Sequence, residues 1–267
     1  MLEETSPHKA APGIVGPSAA RKLISKVPQV TVIFWLTKVL TTGMGETTSD
    51  YLAHTLNPLI AVGLGGLGFA AAMVLQFAVK RYIPWVYWLA VAMVSIFGTM
   101  AADVLHVGLG IPYLASTIFY AVVLAAIFLL WQRTEGTLSI HSIHTRRREA
   151  FYWAAVLATF ALGTAAGDLT AVTLNLGYLG SGVMFAVIIA VPALAHWKFG
   201  LPAIPAFWAA YILTRPLGAS FADWMAVPPD RGGLDWGSGP VSIGWALAIV
   251  ALVAVLALRQ RTTAVRA

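Results

Sequence analysis

A chain of 267 residues that is 59% hydrophobic and 10% charged, with a mean hydropathy of +0.79, lies outside the range of soluble domains. It has no cysteine, which excludes disulfides and thiolate metal sites. Its net charge of +6 is spread between hydrophobic stretches and not gathered into one patch, so it points to membrane topology and away from nucleic acid.

Taken in chain order, the first 29 residues are polar and lack the apolar core of a secretory signal, and they are expected to form a disordered cytoplasmic tail. Runs of the roughly 20 apolar residues that a membrane span needs follow near 30–52, 58–80, 84–106, 111–132, 149–172, 178–198, 203–226 and 240–259, with a short polar tail over 260–267. Proline or glycine sits at several junctions (Pro58, Pro84, Pro112, Pro202, Pro205), as in tight helical hairpins. In an eight-span arrangement nearly every basic residue outside the spans falls on one side and Arg231 alone on the other, so both termini are expected to be cytoplasmic in a multi-pass cell-membrane protein.

The odd-numbered spans repeat one another. Phe34-Trp35, Tyr87-Trp88, Tyr152-Trp153 and Phe207-Trp208 are followed at constant spacing by Gly45, Gly98, Gly163 and Gly218, then by Asp50, Asp103, Asp168 and Asp223. Four ungapped copies of aromatic-W-x9-G-x4-D define four two-span repeats, about 30–80, 84–132, 149–198 and 203–259. Two spans per unit make the copies parallel across the membrane, and the longer interval between the second and third aspartates divides the chain into pseudo-twofold halves. The expected fold is all-α, with eight transmembrane helices in one domain. Four tandem two-helix repeats with a characteristic tryptophan, opening on Lys26-Val-Pro-Gln-Val, Phe34-Trp35 and Gly45-Glu46-Thr-Thr-Ser-Asp50, resemble a bacterial membrane-protein family known only as a repeat of unknown function. The resemblance implies the architecture and brings no activity with it.

Positions four apart share a helix face, so each aspartate ends a polar stripe: Lys38, Thr42, Glu46 and Asp50; Ser95, Thr99 and Asp103; Thr164 and Asp168; Arg215 and Asp223. Because ionised groups are costly in lipid, these stripes should face protein or water, with the odd spans around a polar interior and the glycine-rich even spans bracing them. Each aspartate stands 15 residues beyond its tryptophan, roughly 22 Å along a helix, toward the far side of the bilayer. Five carboxylates against Lys38 and Arg215 leave three surplus negative charges, and oxygen-rich sets of Asp, Glu, Ser and Thr suit hard cations or protons.

The reading is a small-cation transporter, with Glu46 and Asp50 as a paired ion or proton site. Asp103, Asp168 and Asp223 would be equivalent ligands or relay groups, Lys38 and Arg215 internal counter-charges, and Thr42, Ser95, Thr99 and Thr164 supporting donors. His54 and His106, just past their aspartates, are candidate metal ligands, weighed against incidental histidines. The tryptophans read as interfacial anchors or packing residues, the glycines as close-contact positions. A non-transporting scaffold or sensor with fixed interhelical pairs is the alternative. An enzyme is not expected, because no nucleophile, base and orienting acid fall together. Neither a cofactor nor a nucleic-acid partner is expected; the lipid bilayer and a small cation are.

Overall fold

The computed structural model describes residues 25–266. Eight spans follow in order: α1 (Val32–Thr55), α2 (Pro58–Ala78), α3 (Pro84–Gly108), α4 (Tyr113–Glu135), α5 (Arg146–Thr173), α6 (Gly177–Phe199), α7 (Ala203–Ala226) and α8 (Ser238–Arg266). Their starts carry local chemistry. The hydroxyl of Thr31 accepts from Phe34 N at 3.3 Å, Asn57 Oδ1 accepts from Leu59 N at 3.0 Å ahead of Pro58, and Thr145 accepts from Arg148 N at 3.3 Å. Gly136 and Gly200, at φ +72° and +69°, end α4 and α6 in the left-handed conformation that glycine adopts freely. Immediately after Asp103 and Asp168, α3 and α5 widen into π turns, Val104–Gly108 and Leu169–Thr173.

The odd spans form a closed ring in which α1 packs on α3, α3 on α5, α5 on α7, and α7 back on α1. Each even span braces the odd span of the next repeat: α2 lies on α3, α4 on α5, α6 on α7, and α8 completes the circle against α1. Only 17–22% of residues in the apolar stretches of α2, α4, α6 and α8 are buried, against 56% in α3 and 67% in α5, which puts the odd spans inside. Six spans are long and apolar enough to cross a membrane on length and composition; the other two, α1 and α7, hold Lys38, Glu46 and Asp50, and Arg215 and Asp223.

The repeated motif is the code for the joints between copies. At one end, the first aromatic of each copy meets the tryptophan of the next: Phe34 on Trp88, Tyr87 on Trp153, Tyr152 on Trp208, and Phe207 on Trp35, with ring centres 5.6–6.1 Å apart. Trp88, Trp153 and Trp208 are thereby buried, and their role is packing, not interfacial anchoring. Eleven residues further on, the motif glycine of each copy receives the side chain three residues ahead of the next glycine. A Cβ on Gly45 would fall 1.8 Å from Ser95, on Gly98 2.7 Å from Phe160, on Gly163 2.2 Å from Arg215, and on Gly218 1.8 Å from Thr42. One rule thus operates four times, the last closing the circle, and it works because glycine lets the backbones approach.

At the tryptophan end, residues 25–28, assigned from sequence to the tail, are packed instead. Lys26, Val27 and Pro28 are buried, Lys26 Nζ meets Glu149 Oε2 at 2.6 Å, and Gln76 Nε2 donates to Glu149 Oε1 at 3.0 Å. The apolar Val27 and the paired ammonium fill a gap that a freely solvated tail would leave open. The rest of that expected tail, residues 1–24, lies outside the described residues. At the other terminus α8 continues as helix past 259, through the short tail expected there, to Arg266.

Candidate functional site

Because the four copies are parallel and in register, the positions that face the ring axis stack in layers four residues apart. From the tryptophan end these are Phe34, Tyr87, Tyr152 and Phe207; Lys38, Val91, Val156 and Tyr211; Thr42, Ser95, Phe160 and Arg215; Glu46, Thr99, Thr164 and Ala219; and finally Asp50, Asp103, Asp168 and Asp223. The aromatic layer closes one end of the axis, with the hydroxyls of Tyr87 and Tyr152 hydrogen-bonded across it.

The centre is occupied by an ion pair. Arg215 reaches over from α7 to Glu46 on α1, and its Nη2 also contacts Thr99 of α3 and donates to Thr164 Oγ1 of α5 at 2.7 Å. Thr99 and Thr164 lie 3.3 and 3.5 Å from Glu46 Oε2, and Arg215 Nη1 donates to the Thr42 carbonyl at 3.3 Å. All four repeats contribute to this knot, and both charged groups are buried, Arg215 completely. Such a pair is held by hydrogen bonds to its remaining lone pairs and protons, which the threonines supply at Nη1, Nη2 and Oε2 but not at Nε. The expected pairing of Glu46 with Asp50 as one ion site is therefore replaced, in this conformation, by Glu46 with Arg215.

Lys38, the second expected counter-charge, is placed differently. Its side chain is 1% exposed, and Nζ lies 4.0 Å from the Phe160 ring centre and 4.3 Å from that of Tyr211, without a hydrogen-bond partner. Among the described residues, aromatic faces are its compensation. Ser95 Oγ and Arg215 Nε are also buried without partners, so the supporting role expected of Ser95 is reduced to filling the Gly45 seat. Phe160 and Tyr211 escaped sequence reading because they were weighed as apolar residues along their own helices; comparing equivalent columns across the repeats would have set them beside Lys38 and Arg215.

The aspartates contrast with this centre. Asp50, Asp103, Asp168 and Asp223 hold the same register position on the four packed odd spans, one helical turn beyond the Glu46 layer, so all four lie toward one end of the ring. Ion pairs between described residues join Lys26 to Glu149, Glu135 to Arg147 and Arg148, and Arg215 to Glu46; the aspartates are in none of them. Asp50, Asp103 and Asp168 are half-buried and Asp223 is 6% exposed. Among the described residues no three His, Asp or Glu side chains form a metal-binding group. His54 Nδ1 bonds the Asp50 carbonyl at 2.7 Å, and His106 Nδ1 bonds the Ile111 carbonyl at 2.6 Å while stacking on Tyr113, so each histidine serves its own helix end.

The Gly232–Pro240 connection is pinned along the end of α7 by backbone hydrogen bonds from Leu234, Asp235, Trp236 and Gly237 to Trp224, Val227, Met225 and Ala226.

The family described as Repeat of Unknown Function (DUF347) matches this chain four times, over residues 33–82, 86–137, 151–200 and 206–262, in phase with the four structural copies. No curated protein and no solved structure matches it.

Proposed function

The chain belongs to this DUF347 repeat family, and we propose that it is a membrane transporter of a small cation, which enters the ring at the aspartate end and passes the Arg215–Glu46 pair as a gate. One observation carries the reading. The motif's aromatic pair and glycine are consumed by the joints between repeats, whereas among the described residues the four aspartates make neither a joint nor an ion pair and stand at one end of the ring. Carboxylates held without partners in a low-dielectric wall attract cations. A cation arriving from this mouth meets Glu46 next, where it competes with the guanidinium of Arg215. By the positive-inside rule the tryptophan end, with Lys26, Lys80, Arg81, Arg133, Arg146, Arg147 and Arg148, faces the cytoplasm, and so do both termini. The role is non-enzymatic.

The test is ion flux in proteoliposomes, screened over monovalent and divalent cations. Asp50→Asn and Asp168→Asn are expected to lower flux at least about tenfold while the protein still folds, the scale on which one charge in a low-dielectric site acts. Unchanged flux in both variants rejects the assignment.

A second reading, a non-transporting scaffold or sensor, is favoured by the Glu46–Arg215 knot, whose four-repeat hydrogen bonding would equally serve a permanent clasp. It requires that no cation cross wild-type proteoliposomes and that Glu46→Gln affect only thermal stability.

A further inference from the structure

The connection between α4 and α5 reads Ser139-Ile140-His141-Ser142-Ile143-His144, the same triplet twice, and Thr145 and three arginines follow it. A period of three suits the 3-10 turn found over Ile140–Ser142, in which residues three apart share a side. Ile140 and Ile143 are buried, so the isoleucines anchor the turn and its serines and histidines take the other sides. Distant parts of the chain hold it in place: Trp208 Nε1 donates to the Leu138 carbonyl at 3.0 Å, and Lys26 N to the Ile143 carbonyl at 3.4 Å.

A cavity of about 290 Å³ opens against this turn, lined among the described residues by Ser139, His141, Ser142, His144 and Arg148. Arg148, in the first turn of α5, is fixed by three hydrogen bonds: Nε to Glu135 Oε2 at 2.6 Å, Nη1 to the Ser142 carbonyl at 3.0 Å and Nη2 to the Glu135 carbonyl at 3.4 Å. A guanidinium has five N–H groups, so each Nη keeps one to offer. Glu135 is shared with Arg147, and one carboxylate between two guanidiniums leaves this corner positive. His144 adds an independent sign. Both its ring nitrogens are buried without a hydrogen-bond partner, although an imidazole always carries at least one N–H. A donor lacking an acceptor, beside a cavity with a held guanidinium, calls for an anionic oxygen. A metal ion would be repelled by Arg148, and among the described residues no three His, Asp or Glu side chains form a group to hold one.

We propose that this cavity binds a phosphate group, carried by an anionic lipid headgroup or by a free phosphate anion. Arg148 presents its two remaining N–H groups to the phosphate oxygens in the fork geometry that suits them, and His141 and His144 donate from the turn. The cavity adjoins the start of α5, where the helix dipole favours negative charge. It lies where α4 leaves and α5 enters the apolar layer, on the side that the basic residues mark as cytoplasmic, and basic pockets between spans on that side suit anionic headgroups. The proposal is independent of the ring axis and of the transport reading.

Wild type, Arg148→Gln, His141→Gln, His144→Gln and, as a control, Lys198→Gln at the same end of α6 would be purified in detergent, thermal unfolding being followed by tryptophan fluorescence. Each would be titrated at constant pH and ionic strength with sodium phosphate against sodium chloride, and with dioleoyl phosphatidic acid against dioleoyl phosphatidylcholine in the micelles. Wild type is expected to be stabilised by phosphatidic acid, by phosphate or by both. Lipid alone would assign the site to a headgroup, phosphate alone to a soluble anion, and both to the phosphate group whatever carries it. Half-saturation should rise about tenfold in Arg148→Gln, the scale of a charge-assisted hydrogen bond, about threefold in each histidine variant, and less than about twofold in Lys198→Gln. If folded wild type responds to neither probe, or if Lys198→Gln loses the response as fully as Arg148→Gln, the site is overturned. Should Arg148→Gln fail to fold, the histidine variants decide, since His141 is exposed and His144 half-buried; wild-type binding in both overturns the proposal.

Discussion

The centre of the ring and its aspartate end treat buried charge in opposite ways. At the centre, Glu46 faces Arg215, with threonines from α3 and α5 beside them, and every repeat contributes to the contact. One layer further on, the four aspartates of the repeats stand at one end of the ring and, among the described residues, in no ion pair. The two layers come from one motif read at positions one and five residues after the glycine. Their difference arises because the copies have diverged at the central layer, to Glu, Thr, Thr and Ala, and stayed identical at the aspartate layer. The varied layer is completed from within the ring, by Arg215 of the adjoining layer and its own threonines. A layer of four identical carboxylates offers itself no counter-charge.

The largest test of this contrast is at the centre. Arg215→Met strands Glu46 in a dry core and is expected to lower stability by about 3–5 kcal/mol, whereas the double variant Glu46→Met with Arg215→Met should recover most of that loss. Thermal unfolding in detergent measures both, and a double variant no better than the single would mean that the knot holds the ring through more than its charges. Next in size is the seat beneath that layer. Gly218→Ala sets a methyl against Thr42 and within 2.8 Å of the Val39 carbonyl, and should cost about 1–3 kcal/mol by separating α7 from α1. Gly63→Ala, where no atom lies within 4 Å of the added Cβ, is the control on the lipid-facing side and should cost nothing measurable. Smallest is the aspartate end. Asp103→Asn relieves mutual repulsion and should change stability by under about 1 kcal/mol in the stabilising direction, an effect that fades as salt rises. A loss of several kcal/mol in its place would show that the aspartates are structural and would erase the distinction between the two layers.

Much of the architecture was legible because membrane spans and repeats announce themselves locally. Hydrophobic length sets each helix, proline and capping side chains set its start, and an ungapped motif fixes the register of one copy against the next. Glu46 and Arg215 were both recognisable as buried and polar, but along its own helix Glu46 has Asp50 as its neighbour, and only the ring brings Arg215 to it. Likewise the tryptophans read equally as bilayer anchors or packing residues until the circle of aromatic contacts set each against the preceding repeat. The pinning of the α7–α8 loop depends on backbone hydrogen bonds that side-chain identity does not encode, apart from the glycine at position 233.

By itself the sequence determined eight spans, four parallel copies and an aspartate at the same depth in each, since these follow from apolar length and from spacing within a segment. Tertiary structure alone decided which charges meet. Closing the ring sets α7 beside α1, so that residues 169 positions apart become a pair, and in a low-dielectric interior it is the partner brought into contact, and not the neighbour in sequence, that determines whether a charge is neutralised or left to attract an ion.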